Sequence, residues 1–495
     1  MSFLDVLNQY FTLYGLGLTL LGVSIGILGG ALPGISNNMT IALVAMTTYT
    51  MEPFWAITFM AAAQVGSNYG GSISATVLNV PGTPAAAATA LEGYPLTRKG
   101  EATKALGVNV ISSFMGNNIG VVLLIVTIPI MSSLAMKFGP WELFWFAVFG
   151  VVICANLSRE NFLKGLLAAV LGLLLGAVGM DQLYGTLRFS FGSTYLVDGI
   201  AFIPAMVGLY GMSEVFTSLT DYNFEKVKLN PSESLFEFKE WWRYKWIGLR
   251  AAVLGFIIGA IPGVGPNIAS WVGYDQARSM SKEPEKFGKG AIEGLIGSET
   301  GNNACVPGTY APLLTLGVPG DGATAIALGV LLLHGIQPGP TFHTHNPQWL
   351  WQISIALVFS SILFLIIGAF IVKHVVKILI IPMPAIMAGV ALLCVIGSYG
   401  VSSRIQDVYL MFIFGVLGLL MKKYGFSIAP LVLGLIVSDG LADANFRRGI
   451  AAGKGSFLPF FMRPISSVLI VIIAFIIIKE FIYPYIKKRK FGMRK

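Results

Sequence analysis

The chain has 495 residues, of which 55% are hydrophobic and only 12% charged, with a mean hydropathy of +0.75. A soluble domain carries about twice that charged fraction, so a soluble globular protein is excluded. The long apolar windows exclude an outer-membrane barrel, which would show short alternating segments. Part of the net charge of +9 gathers after the last apolar window, at Lys487, Lys488, Arg489, Lys490, Arg494 and Lys495. That is the pattern of a cytoplasmic tail and not of a nucleic-acid surface.

In chain order, the N-terminus shows no basic n-region and no cleavage site, and the first positive residue is Arg98. The first apolar window is therefore expected to stay in the mature protein. Windows at 12–32, 105–130, 352–372 and 463–478 are long enough, alone or tilted, to cross a bilayer core of roughly 30 Å. The fold class is all-α, a polytopic transmembrane helical protein. Residues 221–245 form the longest polar interruption, which divides the chain into a first transmembrane repeat (1–220) and a second (246–462). A closing helix and basic tail follow at 463–495. The three cysteines, Cys154, Cys305 and Cys394, show no metal-type spacing and read as small apolar packers.

The same motif occurs twice in two forms. Pro33-Gly34 is echoed by Pro262-Gly263, 229 positions on, and Pro81-Gly82 by Pro319-Gly320, 238 positions on. Helix-breaking pairs at corresponding places in two halves are the best sequence pointer to a transporter's midplane binding site. The short loops argue that the halves are inverted. The stretch after the first hairpin carries Arg98, Lys99 and Lys104, whereas its counterpart at 337–347 has no Lys or Arg. The loops before the hairpins reverse this: 50–53 has no positive residue, and 278–290 has Arg278, Lys282, Lys286 and Lys289. Matching loops then fall on opposite sides of the membrane, which gives two inverted repeats with discontinuous helices. Parallel repeats are the alternative.

Within Asn79-Val-Pro-Gly-Thr-Pro84, Thr83 suits an N-cap and Pro84 a first helical position, so a new helix is expected over the alanine run. Its unpaired first amides make an anion site. In the second copy, Asp321 takes the capping place, followed by Gly322. Asp321 could cap its own helix or, facing a cavity, bind Na⁺ or carry a proton; an acid within the membrane is a functional-site hypothesis by default. The polar stretches leading into the hairpins, 64–72 and 298–303, suit irregular backbone lining a cavity. The expected substrate-binding set is Asn68, Ser72, Gly82, Thr83, Asn303, Gly320 and Gly322, and the cation-coupling set is Asp321, Glu299 and Asn302. A second tier comprises Pro33, Gly34, Asn38, Pro262, Gly263 and Asn267. His343 and His345 lack further ligands and read as a solvated loop, and Gly449–Ser456 lacks the P-loop spacing. With no nucleotide site visible, ATP is not the expected energy source.

At these residues the chain resembles the large membrane subunit of tripartite tricarboxylate transporters, the TctA type. The matching stretches are 69–95, Arg98–Glu101, Ile261–Pro266, Phe287–Gly290, Asn303-Ala304, Leu313–Gly320 and His334–Pro340, within a resemblance over most of 20–460. It implies a secondary importer of organic acids, fed by a periplasmic solute-binding protein and accompanied by a small membrane subunit. Two positions depart from the family pattern. Ser298 stands where Pro usually precedes the glutamate, and Asp321 stands where Ser often follows Pro-Gly. A carboxylate at that place repels an anion unless a cation or proton sits beside it.

Moving a dianion into a negative interior costs roughly 4.6 kcal/mol at 100 mV. Cotransported Na⁺ or H⁺ must offset this. No resident cofactor or metal is expected beyond that ion, and no nucleic acid. The expected location is the inner membrane, multi-pass, with a cytoplasmic C-terminus; a homodimer is left open. The alternatives are an intramembrane enzyme using Asp321 and Glu299 as acid and base, and a passive anion channel.

Overall fold

The structure is a computed structural model that describes residues 3–32, 35–156, 162–181, 184–218, 238–378 and 383–492. Most of the expected linker at 221–245, and the pair Pro33-Gly34, lie outside the described residues. The described chain is all-α apart from one two-stranded antiparallel hairpin, β1 (Gly179–Met180) with β2 (Leu187–Arg188). Among the described residues, four helices are long and apolar enough to cross a membrane: Leu13–Ala31, Ala102–Ala135, Pro347–Gly368 and Ile405–Lys423. A bent pair, Ile428–Val437 with Leu441–Ala452, makes a fifth if it counts as one span. This is a polytopic helical membrane protein. Three of the expected windows fall on these spans, and the window 463–478 falls on the helix Pro464–Gly492.

The chain divides into two compact units, Met1–Ser132 with Phe202–Leu419, and Ser133–Ala201 with Leu420–Lys495. The first unit holds the motifs. Its elements are α1 (Leu13–Ala31), α2 (Asn37–Thr47), α3 (Pro53–Leu78), a 3₁₀ turn (Pro84–Ala86) running into α4 (Ala87–Arg98), and most of α5 (Ala102–Ala135). From the later part of the sequence come α6 (Lys245–Gly259), α7 (Gly265–Met280), α8 (Ile292–Leu316), α9 (Gly322–Leu333) and α10 (Pro347–Ile378). Side-chain caps start the early helices: Thr12 accepts from Gly15 N at 3.1 Å, and Ser36 from Met39 N at 3.1 Å.

The unit buries polar side chains within an apolar interior and also exposes apolar side chains on its outside. On α5, Val122, Val126 and Ile130 are each about 60% exposed and lie four residues apart, a stripe that suits lipid. By contrast α3 is buried from Ala56 to Val77 and α8 from Gly294 to Leu316, though they carry Gln64, Asn68, Ser72, Glu299, Asn302 and Asn303. Both helices are sheathed by neighbours and need no apolar surface.

Close backbone contacts repeat between the halves. A β-carbon at Gly26 would collide with the Ala63 carbonyl, one at Gly30 with that of Ser67, and one at Gly70 with that of Ile27. The counterparts 229 or 238 positions later do the same: Gly255 against Gly301 O, Gly259 against Cys305 O, and Gly308 against Phe256 O. So α1 crosses α3 as α6 crosses α8, with small residues letting backbones touch. The partners are then exchanged. Helix α2 packs on α9, whereas α7 packs on the turn Pro84–Ala86, so each half lays its helix on the other half's hairpin.

In the second unit, Arg188 on β2 bridges Asp181 at 2.6 Å and Asp443 at 2.8 Å, while Arg447 bridges the same two carboxylates at 2.9 and 3.0 Å. This closed ring of two acids and two bases leaves Asp181 with a buried but compensated charge. Phe144, Phe446 and Phe460 pack together in the same unit, with ring centroids 5.2 to 5.5 Å apart.

A direct check of the backbone contact compares two glycines of α1. Gly26→Leu forces α1 away from α3 and should destabilise the protein by about 2 kcal/mol or more. Gly17→Leu, with nothing within 4 Å of its added carbon, should leave stability unchanged. Thermal unfolding of both variants in detergent measures the difference.

Candidate functional site

Both hairpins interrupt their helices in the same way. Helix α3 ends on Asn79 in the left-handed conformation (φ 56°), and α8 ends on Gly317 at the matching position (φ 69°). The chain then turns through Pro-Gly and restarts at Pro84 or Gly322. A β-carbon at Gly82 would collide with the Gly30 carbonyl, and one at Gly320 with the Gly259 carbonyl, so each turn sits on the end of its own crossing helix. The polar stretches 64–72 and 298–303 correct one expectation. They are regular helix inside α3 and α8, and the irregular backbone lies later, at 79–83 and 317–321. Their glycines serve close packing, which leaves the helical hydrogen bonds intact.

The two restarts differ chemically. Asp321 caps α9 with a full capping box, accepting from Thr324 N at 2.8 Å and from Thr324 Oγ1 at 2.6 Å. Thr83 is the N-cap of its turn, yet its side chain makes no capping bond, and Oγ1 is buried without a partner. It packs instead against Gly71 of α3. Near the second restart, a β-carbon at Gly322 would collide with Asn38 Nδ2 and lie 3.0 Å from the Tyr210 hydroxyl oxygen. A β-carbon at Gly265 would lie 2.9 Å from Asp321 Cβ. Asn38 and Tyr210 thus join Gly265, Asp321 and Gly322. Tyr210 belongs to a π-helical turn, Val207–Met212, and such turns are frequent at functional sites.

Glu299 is fully buried in α8 and collects donors from four helices. Ser72 of α3 donates at 2.8 Å, Ser113 of α5 at 2.9 Å and Asn303 Nδ2 of α8 at 3.4 Å, all to Oε2, while Thr89 of α4 donates to Oε1. Asn68 Nδ2 reaches Asn303 Oδ1 at 3.3 Å and the Asn302 carbonyl at 3.4 Å. Among the described residues no cation pairs with Glu299. Glu299 and Asp321 belong to separate hydrogen-bond sets and share no partner there.

A second buried carboxylate, Glu92 of α4, was not expected from the sequence. Its Oε1 accepts from Tyr274 at 2.7 Å and Gly288 N at 2.6 Å, and its Oε2 from Gly290 N at 2.7 Å and Ala291 N at 2.6 Å. The amides belong to the loop entering α8, where Gly288 and Gly290 take positive φ to aim them inward. This is an anion nest at a helix N-terminus, filled by the protein's own side chain. Helix α4 runs antiparallel to α8, with Glu92 at the entry and Thr89 one turn on, facing Glu299.

Of the expected set, Asn68, Ser72 and Asn303 gather around Glu299, whereas Gly82, Gly320 and Gly322 are close-approach positions of the hairpins. Asn302 stands apart: both ends of its amide are buried without partners. At the matching place on α3, Gln64 Oε1 accepts from Tyr310 at 2.8 Å while its Nε2 has no partner. Pro262 and Gly263 lie in the break between α6 and α7, and Asn267 is exposed in the first turn of α7, after the buried Gly265 and Pro266. Thr89, Glu92, Ser113, Tyr274 and Tyr310 were missed, since single polar residues on apolar helices carry no motif. Among the described residues no group of three or more His, Cys, Asp or Glu is placed to hold a metal ion.

The family profile described as tripartite tricarboxylate transporter TctA family matches residues 16–433. The chain belongs to this family. An uncharacterised 52.8 kDa protein from the TAR-I ttuC′ 3′ region of Agrobacterium vitis is 36% identical over 453 residues, covering 91% of this chain and 90% of the relative. A second uncharacterised protein, from the TAR-II ttuC′ 3′ region of the same organism, is 33% identical over 216 residues, covering 44% of this chain and 89% of the relative. No solved structure matches. Membership of the TctA family points to a membrane transport protein of a tripartite system and away from an enzyme.

The Glu92 nest generates a stability test. Glu92→Ala orphans three amides and a tyrosine hydroxyl, at about 1–3 kcal/mol for each group left unsatisfied, so expression and melting temperature should fall sharply. Glu92→Gln keeps one acceptor oxygen and should fall between Ala and the parent. Equal melting for all three proteins would remove the carboxylate from any structural role.

Proposed function

We propose that this chain is the permease subunit of a secondary importer of organic carboxylates. A gradient of Na⁺ or H⁺ drives it, a periplasmic binding protein feeds it and a small membrane subunit accompanies it. One observation carries the reading: each half's second helix packs on the opposite half's hairpin, α2 on α9 and α7 on the turn before α4. The two chain interruptions are thus held between the halves. That is where alternating access needs a site, because moving one half past the other changes both hairpins at once. Loop charge supports an inverted arrangement of the halves, in the inner membrane with the basic C-terminus inside.

Binding falls to groups that still have hydrogen-bonding capacity. Thr83 Oγ1 and both ends of Asn302 are buried and unpartnered, and such groups gain most from a polar ligand. Gly82, Gly320 and Gly322 seat the two turns against protein, the first two on helix-end carbonyls and the third beside Asn38. Asn68, Ser72 and Asn303 are already bonded around Glu299, and they serve coupling. Asp321, bonded to its own helix start, makes that end unfavourable for an anion unless a cation accompanies it.

Uptake tests the reading. Proteoliposomes holding the complete transporter and its binding protein should accumulate labelled citrate or succinate, and collapse of the Na⁺ and H⁺ gradients should abolish accumulation. Thr83→Val should weaken apparent substrate affinity about tenfold, the loss of one hydrogen bond to a charged group. Uptake indifferent to Na⁺, H⁺ and membrane potential refutes coupling. Conversion of the substrate would favour an enzyme, and unsaturable current a channel. Cysteines placed near Arg98 and His343 should label from opposite sides; labelling from one side ends the inverted arrangement.

A further inference from the structure

Resting on that transport reading, we propose that the coupling ion is a proton and that Glu299 carries it. The carboxylate is fully buried at the junction of α3, α4, α5 and α8, and every group bonded to it is neutral: Ser72, Thr89, Ser113 and Asn303. An ionised carboxylate is acceptor-only, with about four lone-pair sites, and four donors approach it here, three at Oε2 and one at Oε1. A protonated one needs a single acceptor. Serine and threonine hydroxyls reverse roles by rotation alone, and in a helix a freed hydroxyl can turn to a carbonyl of its own preceding turn. The pocket therefore takes up or releases a proton without moving a heavy atom.

A metal ion fits less well. Asn303 turns its N–H₂ toward Glu299 and Ser113, because its oxygen is engaged by Asn68 Nδ2 at 3.3 Å. A cation beside Oε2 would meet those hydrogens. The surrounding charges do not compensate Glu299 either. On α3 the titratable group is Tyr69, buried with its hydroxyl unpartnered. Glu92 on α4 and Tyr274 on α7 are bonded to each other at 2.7 Å. Asp321, at the head of α9, is bonded to Thr324. The basic residues on the packed elements are Arg98 on α4, Lys104 on α5, Lys245 and Arg250 on α6, and Arg278 on α7. None forms an ion pair with Glu299 among the described residues.

The site also links the proton to the hairpin. Thr89 sits on the helix that follows Pro81-Gly82, so the ionised carboxylate draws α4 onto α8 through a charge-assisted bond. Loading forms one O–H bond on Glu299 with a proton from the outer medium and weakens that attachment. Release returns the proton to the inner medium and restores it.

The test uses the complete transporter in proteoliposomes with a labelled tricarboxylate, citrate. Glu299→Gln keeps the size and holds the position neutral. It should lose accumulation driven by a pH gradient at least tenfold while retaining exchange of internal for external citrate within about twofold. Ser72→Ala removes a donor to the ionised form, so the pH at half-maximal uptake should move upward. Accumulation by Glu299→Gln that still follows the pH gradient overturns the proposal, as does loss of exchange together with accumulation, or a parent driven by Na⁺ and indifferent to pH. In each of those results the parent still transports, and the broader reading stands. A parent that moves no carboxylate under any gradient overturns both.

Discussion

Because Gly82 and Gly320 have no side chains, the carbonyls of Gly30 and Gly259 can lie directly against the two Pro-Gly turns. The helix crossings beneath them depend on the same device, with Gly26 and Gly30 of α1 against α3 and Gly255 and Gly259 of α6 against α8. In a membrane there is no hydrophobic drive between helices, and close van der Waals packing of backbones takes its place. The contact also solves a local problem. Each hairpin exposes several residues of non-helical backbone, which lipid cannot solvate. Pressing the turn onto a neighbouring helix end keeps it inside protein.

Once the turns are seated, the polar interior follows. Helices α3 and α8 are buried on all sides, so they can carry amides, hydroxyls and a carboxylate that no lipid-facing helix would tolerate. Those side chains bond chiefly to one another: Gln64 to Tyr310, Asn68 to Asn303, Ser72 to Glu299. Helix α4 is held along α8 at two levels, by Glu92 on the entering amides and by Thr89 on Glu299. The first level has backbone donors that cannot turn away. The second has a hydroxyl that can. A helix pinned at its middle by Glu92 and reversibly tied one turn earlier by Thr89 can shift at its start without leaving its partner.

Much of this was legible in the chain, and the reasons are specific. Pro-Gly pairs reveal helix breaks because proline removes a donor and glycine tolerates the turn, so the interruptions after Leu78 and Leu316 could be placed to within a few residues. The repeat interval could be read because close-packed glycines cannot be replaced without displacing a backbone. The regular helix at 64–72 and 298–303 could not, because Gly, Ser and Asn favour both loops and tightly packed membrane helices, and only the neighbour decides between them. Glu92 was hidden for another reason. Its partners are backbone amides some 200 residues away, and amides have no sequence signature. The π-turn at Val207–Met212 was equally silent, although a second one at Ser438–Asp443 follows after 231 residues, close to the interval of the other repeats.

The two hairpins share the Val-Pro-Gly turn and differ at the capping position that follows it. Thr83 leaves its oxygen free and its helix start uncapped; Asp321 closes its helix start with its own carboxylate. A symmetric pair of open starts would hold two anionic groups equally well from both halves. Replacing one hydroxyl by a carboxylate removes that equivalence, since the amides and dipole at the head of α9 are already neutralised from within. Asn38 and Tyr210 crowd the same end, so even a ligand that displaced Asp321 from Thr324 would find little room beside Gly322. The open start at Thr83 lies on the side of α4, the helix whose next turn carries Thr89 to Glu299. Thr83 and the Thr89 bond to Glu299 therefore lie on one continuous segment, the turn Pro84–Ala86 running into α4.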